Sequence, residues 1–158
     1  MAKATASKKQ PVLVAVDFSP SSEQALLWAA RMTECSGAPL LVLHVVHDPW
    51  LIPGYYEHAK KKKKNLTRIE EAAAEMMTEF LARMRKENGK LLGDIEHRLV
   101  AGLPITRILE VAKEIDAQQI VMGSRGRTGL PHMLLGSKAE KVAQLSPIPV
   151  TIVKELRK

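Results

Sequence analysis

The sequence predicts an α/β fold with three layers, a parallel β-sheet between two layers of helices. Two observations carry this. Short, nearly continuous apolar runs recur along the chain, as in strands buried on both faces of a parallel sheet. Between them lie longer segments whose apolar residues repeat at helical spacing, so strands and helices alternate from one end to the other.

The first run, Pro11-Val12-Leu13-Val14-Ala15-Val16, ends at Asp17 and reads as β1. Ser19-Pro20 opens a helix, because serine caps free backbone N–H groups and proline suits the first helical position. Ala25, Trp28, Ala29 and Met32 form its apolar stripe, and Gly37 stands where it should stop. Leu40 to Val46 is the second strand. His47 to Tyr56 is a loop, since it holds Asp48, Pro49, Pro53 and Gly54. A run of lysines, Lys60 to Lys64, reads as a solvated helix start, and its like charges predict mobility from Trp50 to Lys64. The long helix that follows carries an apolar stripe of Leu66, Ile69, Ala73, Met76, Met77, Phe80 and Met84, with the methionines assigned to the core; Asn88-Gly89 ends it. Ile95 to Ala101 is the third strand, and Ile105, Ile108, Leu109, Ala112 and Ile115 mark a helix. Gln119 to Met122 is the fourth strand, ending at Gly123. Ser137, with Glu140 three residues on, reads as a capping box for the last helix, and Ile148 to Val153 is the last strand.

The chain has 158 residues, the size of one domain. Residues 1–10 read as a flexible basic tail and 11–158 as the domain. Apolar residues make up 46% of the chain, enough for a sizeable core. No apolar run approaches the roughly 18–20 residues of a membrane span, and Met1 to Gln10 lacks the apolar stretch of a secretory signal. The single cysteine, Cys35, has no partner for an internal disulfide, which fits a reducing compartment. These features predict a cytoplasmic protein. The net charge of +7 is concentrated in Lys3, Lys8 and Lys9 of the tail and in the Lys60–Lys64 run, so the rest of the chain is close to neutral. Without interleaved aromatic residues, that run does not resemble a nucleic-acid-binding surface.

The chemistry concentrates in Gly123-Ser124-Arg125-Gly126-Arg127-Thr128-Gly129-Leu130, continuing to Gly136-Ser137. Gly123 ends a buried strand and permits a sharp turn and close approach of a ligand. Gly126 and Gly129 leave backbone N–H groups free to form an anion nest. Gly136-Ser137 opens a helix whose unpaired N–H groups and positive dipole end suit phosphate, with the Ser137 hydroxyl as a further donor. Arg125 and Arg127 either neutralise phosphate or face solvent. The stretch is not a P-loop, which needs Lys-Ser/Thr directly after its last glycine. Nor is it the dinucleotide fingerprint, which follows the first strand of its unit.

The spacing Gly-x2-Gly-x9-Gly-Ser, met by Gly123, Gly126, Gly136 and Ser137, resembles the ATP-binding signature of the universal stress proteins. The resemblance runs from about Val12 to Val153. It includes the opening Val-Ala-Val-Asp-Phe-Ser, the Leu-His-Val-Val of the second strand and the closing Ile-Pro-Val-Thr-Ile-Val. It implies a five-stranded parallel sheet in the order 3-2-1-4-5, like that of the adenine-nucleotide α-hydrolases, with a crevice between strands 1 and 4. It also implies roles. Asp17 would contact the ribose or a metal, Ala15 would line the nucleotide, and Val45 and Met122 would meet the adenine. Gly126, Arg127, Gly136 and Ser137 would cradle the phosphates of ATP, with Mg²⁺ or Mn²⁺ accompanying it. Lys138 departs from the small or apolar residue usual in the family, and both contact with phosphate and exposure to solvent stay open for it. The family also implies a homodimer paired through the edge strand Ile148–Val153.

Other readings stand beside these. Asp17 alone would pass for a helix cap. His44, inside an apolar strand, reads as a hydrogen-bonded core histidine. His47 and His132 lie in loops near the expected cleft, and Trp50, Tyr55 and Tyr56 either cover the nucleotide or pack at an interface. The expected function is a nucleotide-dependent stress-response dimer that hydrolyses ATP slowly at most. One alternative is an enzyme of the α-hydrolase class, but those carry Ser-Gly-Gly-x-Asp-Ser after the first strand, where this chain has Asp-Phe-Ser-Pro-Ser-Ser. The other is a protein-binding dimer indifferent to nucleotide.

Overall fold

The computed structural model describes residues 9–47, 59–127 and 135–155, and of residues 59–65 the backbone alone. The expected tail up to Lys8, the 48–58 loop with Trp50, Tyr55 and Tyr56, and the 128–134 stretch with Gly129 and His132 lie outside the described residues. The elements are β1 (Val12–Ala15), α1 (Pro20–Ser36), β2 (Leu40–His47), α2 (Ala59–Asn88), β3 (Glu96–Gly102), α3 (Pro104–Glu114), β4 (Gln119–Gly123), α4 (Ser137–Leu145) and β5 (Val150–Val153). All strand pairs are parallel, and the sheet order is β3-β2-β1-β4-β5. The expected fold class and strand order are those observed.

Side chains alternate across β1 and so build two cores. Val12, Val14 and Val16 pack under α1 and α2 with Val42, Val121, Met77, Phe80 and Met84. Leu13 and Ala15 pack under α3 and α4 with Leu41, Leu43, Ile120, Met122, Ile108 and Val142. Both faces of the central strands are therefore apolar, which is why those strands read as continuous runs.

The helix signals in α1 correspond to real contacts. The Ser19 hydroxyl accepts a hydrogen bond from the Ser22 N–H at 3.2 Å, and Pro20 occupies the first turn. Gly37 ends the helix in the left-handed conformation, φ 67°, a geometry glycine adopts without steric penalty. The apolar stripes of α1 and α2 need correcting in three places. Trp28 is 37% exposed, because the inward face of α1 runs through Ser22, Ala25, Leu26, Ala29 and Thr33 and leaves position 28 on the flank. Met76 is 38% exposed, whereas Met77 and Met84 are buried as expected. Met76 sits about 100° round the helix from Met77, and the inward line runs through Ala73, Met77, Phe80, Leu81 and Met84. Ile69, also assigned to the stripe, is exposed. The backbone of the Lys60–Lys64 run forms the first turns of α2. Lysine is a good helix former, and like-charge pairs cost a helix only about 0.2–0.5 kcal/mol each.

Candidate functional site

β1 and β4 are neighbours, but the chain continues from β1 to a helix on one face and from β4 to a helix on the other. A crevice therefore opens at their C-terminal ends, where the layers diverge. Ala15, Met122 and Leu43 share one rung of the sheet, Ala15 pairing with both of the others. With Val45 they belong to the core on the α3/α4 face. Asp17, two residues beyond Ala15, projects at the rim.

Asp17 is not the cap of α1; Ser19 is. One carboxylate oxygen of Asp17 accepts the Ser19 N–H at 3.1 Å and the Ser19 hydroxyl at 2.5 Å. The other accepts the Arg127 N–H at 3.1 Å. The carboxylate thus ties the turn after β1 to the glycine loop after β4, 110 residues away in sequence. Three donors occupy about four acceptor directions, leaving one for a ligand hydroxyl or metal-bound water.

The loop is braced on several sides. The Ser124 N–H donates to Val153 O at 2.8 Å, the Arg125 N–H to the Ser21 hydroxyl at 3.2 Å, and the Gly136 N–H to Ser124 O at 2.7 Å. Among the described residues of the loop, the N–H groups of Ser124, Arg125 and Arg127 are therefore spent on the protein itself. The glycines also divide by role. A Cβ on Gly123 would stand 2.6–2.8 Å from the hydroxyl oxygen and backbone of Ser21, so this glycine is required for β4 to meet the start of α1. A Cβ on Gly126 would stand 3.0 Å from the Asp17 carboxylate, and one on Gly136 would stand 3.4 Å from Ser124 O. These two keep the cradle open.

The expected capping box does not form. Gly136 is the N-cap of α4, Ser137 is its first helical residue, and no side chain caps it. The bond from Gly136 to Ser124 anchors the start of the helix one residue early, and the Glu140 N–H closes the first turn on Gly136 O at 2.9 Å. The N–H groups of Ser137, Lys138 and Ala139 then have no intrahelical acceptor. Arg127, Ser137 and Lys138 are exposed around them. Positive charge and free N–H groups converge there, with Asp17 as the neighbouring carboxylate.

His44 is half-buried, and its Nδ1 lies 2.8 Å from Val16 O, in line with the expected core histidine. Burial is the main cause lowering its pKa from the ordinary 6.5; the Val16 bond and Asp17 act upward, Arg127 and Lys138 downward. The Lys138 charge is thus felt on this side of the rim. Among the described residues, no group of three or more His, Cys, Asp or Glu side chains could hold a metal, and no helix is long and apolar enough to cross a membrane.

Sequence reasoning missed Ser19 and Ser21 as parts of the site. The Ser19–Ser22 cluster carried a helix-start signal, but nothing local links Ser21 to Arg125, 104 residues away.

A five-stranded parallel sheet in this order, with the glycine loop and the start of α4 at the crevice between β1 and β4, defines an α/β protein of the doubly wound type. The family model described as the universal stress protein family matches residues 9–154, and the chain belongs to that family. It is 33% identical to the universal stress protein YxiE of Bacillus subtilis, over 90% of this chain and 97% of that one. The structure superposes on that of the Methanocaldococcus jannaschii protein MJ0577 with a TM-score of 0.78 at 24% identity, covering 96% and 99% of the two chains. It also superposes on a universal stress protein in complex with cAMP, with a TM-score of 0.60 at 27% identity, covering 93% and 98%.

Proposed function

We propose that this protein binds ATP at the crevice between β1 and β4 and acts as a nucleotide-dependent regulatory dimer of the stress response in the cytoplasm. The observation that carries the proposal is the uncapped start of α4, set against a loop held open by Gly126 and Gly136 and bordered by Arg127 and Lys138. The phosphates would take the N–H groups of Ser137, Lys138 and Ala139 together with the Ser137 hydroxyl. Ala15, Val45 and Met122 would line the adenosine end, and the remaining acceptor position on Asp17 would serve the ribose or the water shell of Mg²⁺ or Mn²⁺. The metal's chemistry would be charge neutralisation on the phosphates. The relative crystallised with cAMP supports an adenine nucleotide as the class of ligand.

Hydrolysis would be slow. Asp17 is the carboxylate at the loop, and three donors already hold it, so it is a poor general base for an attacking water. The dimer would form through β5, an edge strand with half-buried Val150 and Ile152 and one side open to a further strand.

The test is mass spectrometry of small molecules released from freshly purified protein by denaturation, with calorimetric titration of ATP-Mg²⁺. Co-purified adenine nucleotide, or saturable binding abolished by Gly126→Val, is the expected result. Protein free of nucleotide that gives no heat at millimolar ATP would refute the proposal.

A further inference from the structure

β2 carries His44 to the same face as Val42, under α1 and α2, close to the C-terminal rim. The 2.8 Å contact with Val16 O needs a hydrogen on Nδ1, since a carbonyl only accepts. The imidazole also packs on Phe18, with ring centroids 4.3 Å apart and planes tilted by 31°. Phe18 has φ 64°, a left-handed conformation that a bulky side chain adopts only when its surroundings impose it. Its ring also meets Phe80 of α2 edge to face, with centroids 5.3 Å apart.

Val16 and Phe18 are the two neighbours of Asp17. One side chain therefore grips the chain on both sides of the residue that joins the β1 turn to the glycine loop. A histidine needing only to satisfy its buried nitrogen would need Val16 O alone. The ring contact with a left-handed Phe18 adds a constraint on the turn itself.

We infer that His44 is a positioning residue for the crevice: by holding the Val16 carbonyl and the Phe18 ring it aims the Asp17 carboxylate at the Arg127 N–H and so shapes the loop that receives the ligand. The ligand part rests on the nucleotide reading above; the link from His44 to Asp17 and Arg127 does not. The charges acting on His44 are Asp17 from the turn, Arg127 from the loop and Lys138 from α4. Beyond Phe80, Glu23 of α1 and Arg83 of α2 pair with each other at 2.6 Å.

The experiment uses the full chain, labelled with ¹⁵N, and two substitutions. His44→Asn keeps an N–H donor in the place of Nδ1; His44→Phe keeps a ring and loses the donor. Without ligand, the Arg127 and Ser19 amides report where the Asp17 carboxylate points. Both resonances should move in His44→Phe and return close to their original positions in His44→Asn. ATP-Mg²⁺ should bind about tenfold more weakly to His44→Phe, the effect of one misplaced hydrogen bond, and within about threefold of the parent for His44→Asn. Amides that stay in place in His44→Phe, or that move equally in both variants, would overturn the inference. If the parent protein takes no ATP at millimolar concentration, the nucleotide reading fails and the amide comparison still judges His44. Should His44→Phe not fold, Phe18→Ala replaces it, because it removes the ring contact and leaves the Nδ1 donor in place: the Arg127 and Ser19 amides should move, and amides that stay in place overturn the inference.

Discussion

The two glycines at the start of the loop should fail in different ways when each is replaced by alanine. At Gly123 the added Cβ would lie 2.6 Å from the Ser21 hydroxyl oxygen, 2.7 Å from its carbonyl carbon and 2.8 Å from its carbonyl oxygen. Two of these are backbone atoms of α1, so a rotamer change gives no relief and the helix start must move away from β4. Overpacking of that kind costs about 1–3 kcal/mol, and for a chain of this length about 2–4 °C of melting temperature per kcal/mol. Gly123→Ala should therefore melt about 5–10 °C below the parent. At Gly126 the new atom meets only the tip of the Asp17 side chain, at 3.0 Å. Gly126→Ala should keep the melting temperature to within about 3 °C. It should still weaken ATP about tenfold, because the Asp17 carboxylate that accepts the Arg127 N–H has to shift. Thermal denaturation and calorimetric titration of both variants decide the matter. A Gly123→Ala protein as stable as the parent, or a Gly126→Ala protein that unfolds, would show that the division of roles is mistaken.

Three further outcomes are expected. Because His44 is neutral more readily when folded than when unfolded, its contribution to stability is complete above pH 6.5 and is lost as pH falls below that value. Urea midpoints should drop from pH 7 to pH 5 in the parent and drop less in His44→Asn, and equal slopes would exclude His44 as the source. Val150→Glu or Ile152→Glu should convert the proposed dimer to monomers in light scattering, because a charge on the open edge of β5 opposes pairing; a dimer that persists places the interface elsewhere. Met77→Ala, at a fully buried position, should cost about 2–5 kcal/mol. Met76→Ala on the exposed flank should cost less than about 1 kcal/mol by chemical denaturation, and equal losses would contradict the observed rotation of α2.

The alternation of strands and helices was legible because it depends on local patterns: the apolar runs at Val12–Val16 and Leu40–Val46, the Ser19-Pro20 start and the Gly37 stop. The rotation of α2 was not. Ile69, Met76 and Met77 are all compatible with one apolar stripe, and only the position of the sheet shows which of them it covers. The glycine spacing marked Gly123, Gly126 and Gly136 as places where a side chain would intrude, and a Cβ at each would meet a neighbour within 3.4 Å. What each glycine avoids is a neighbour distant in sequence: the start of α1 for Gly123, the carboxylate of Asp17 for Gly126 and Ser124 O for Gly136.

The sequence by itself determined the element order and the family, because periodicity, capping residues and motif spacing are properties of neighbouring residues. It also singled out Asp17 and the Gly123–Ser137 stretch as candidate positions, two segments that the fold brings together. Tertiary structure alone decided that Asp17 is bound to the Arg127 amide, that Ser21 and Val153 brace the loop, and that α4 starts at Gly136 without a side-chain cap. Those outcomes depend on hydrogen bonds between groups that sequence places far apart, and on which donors remain unspent once the fold has closed.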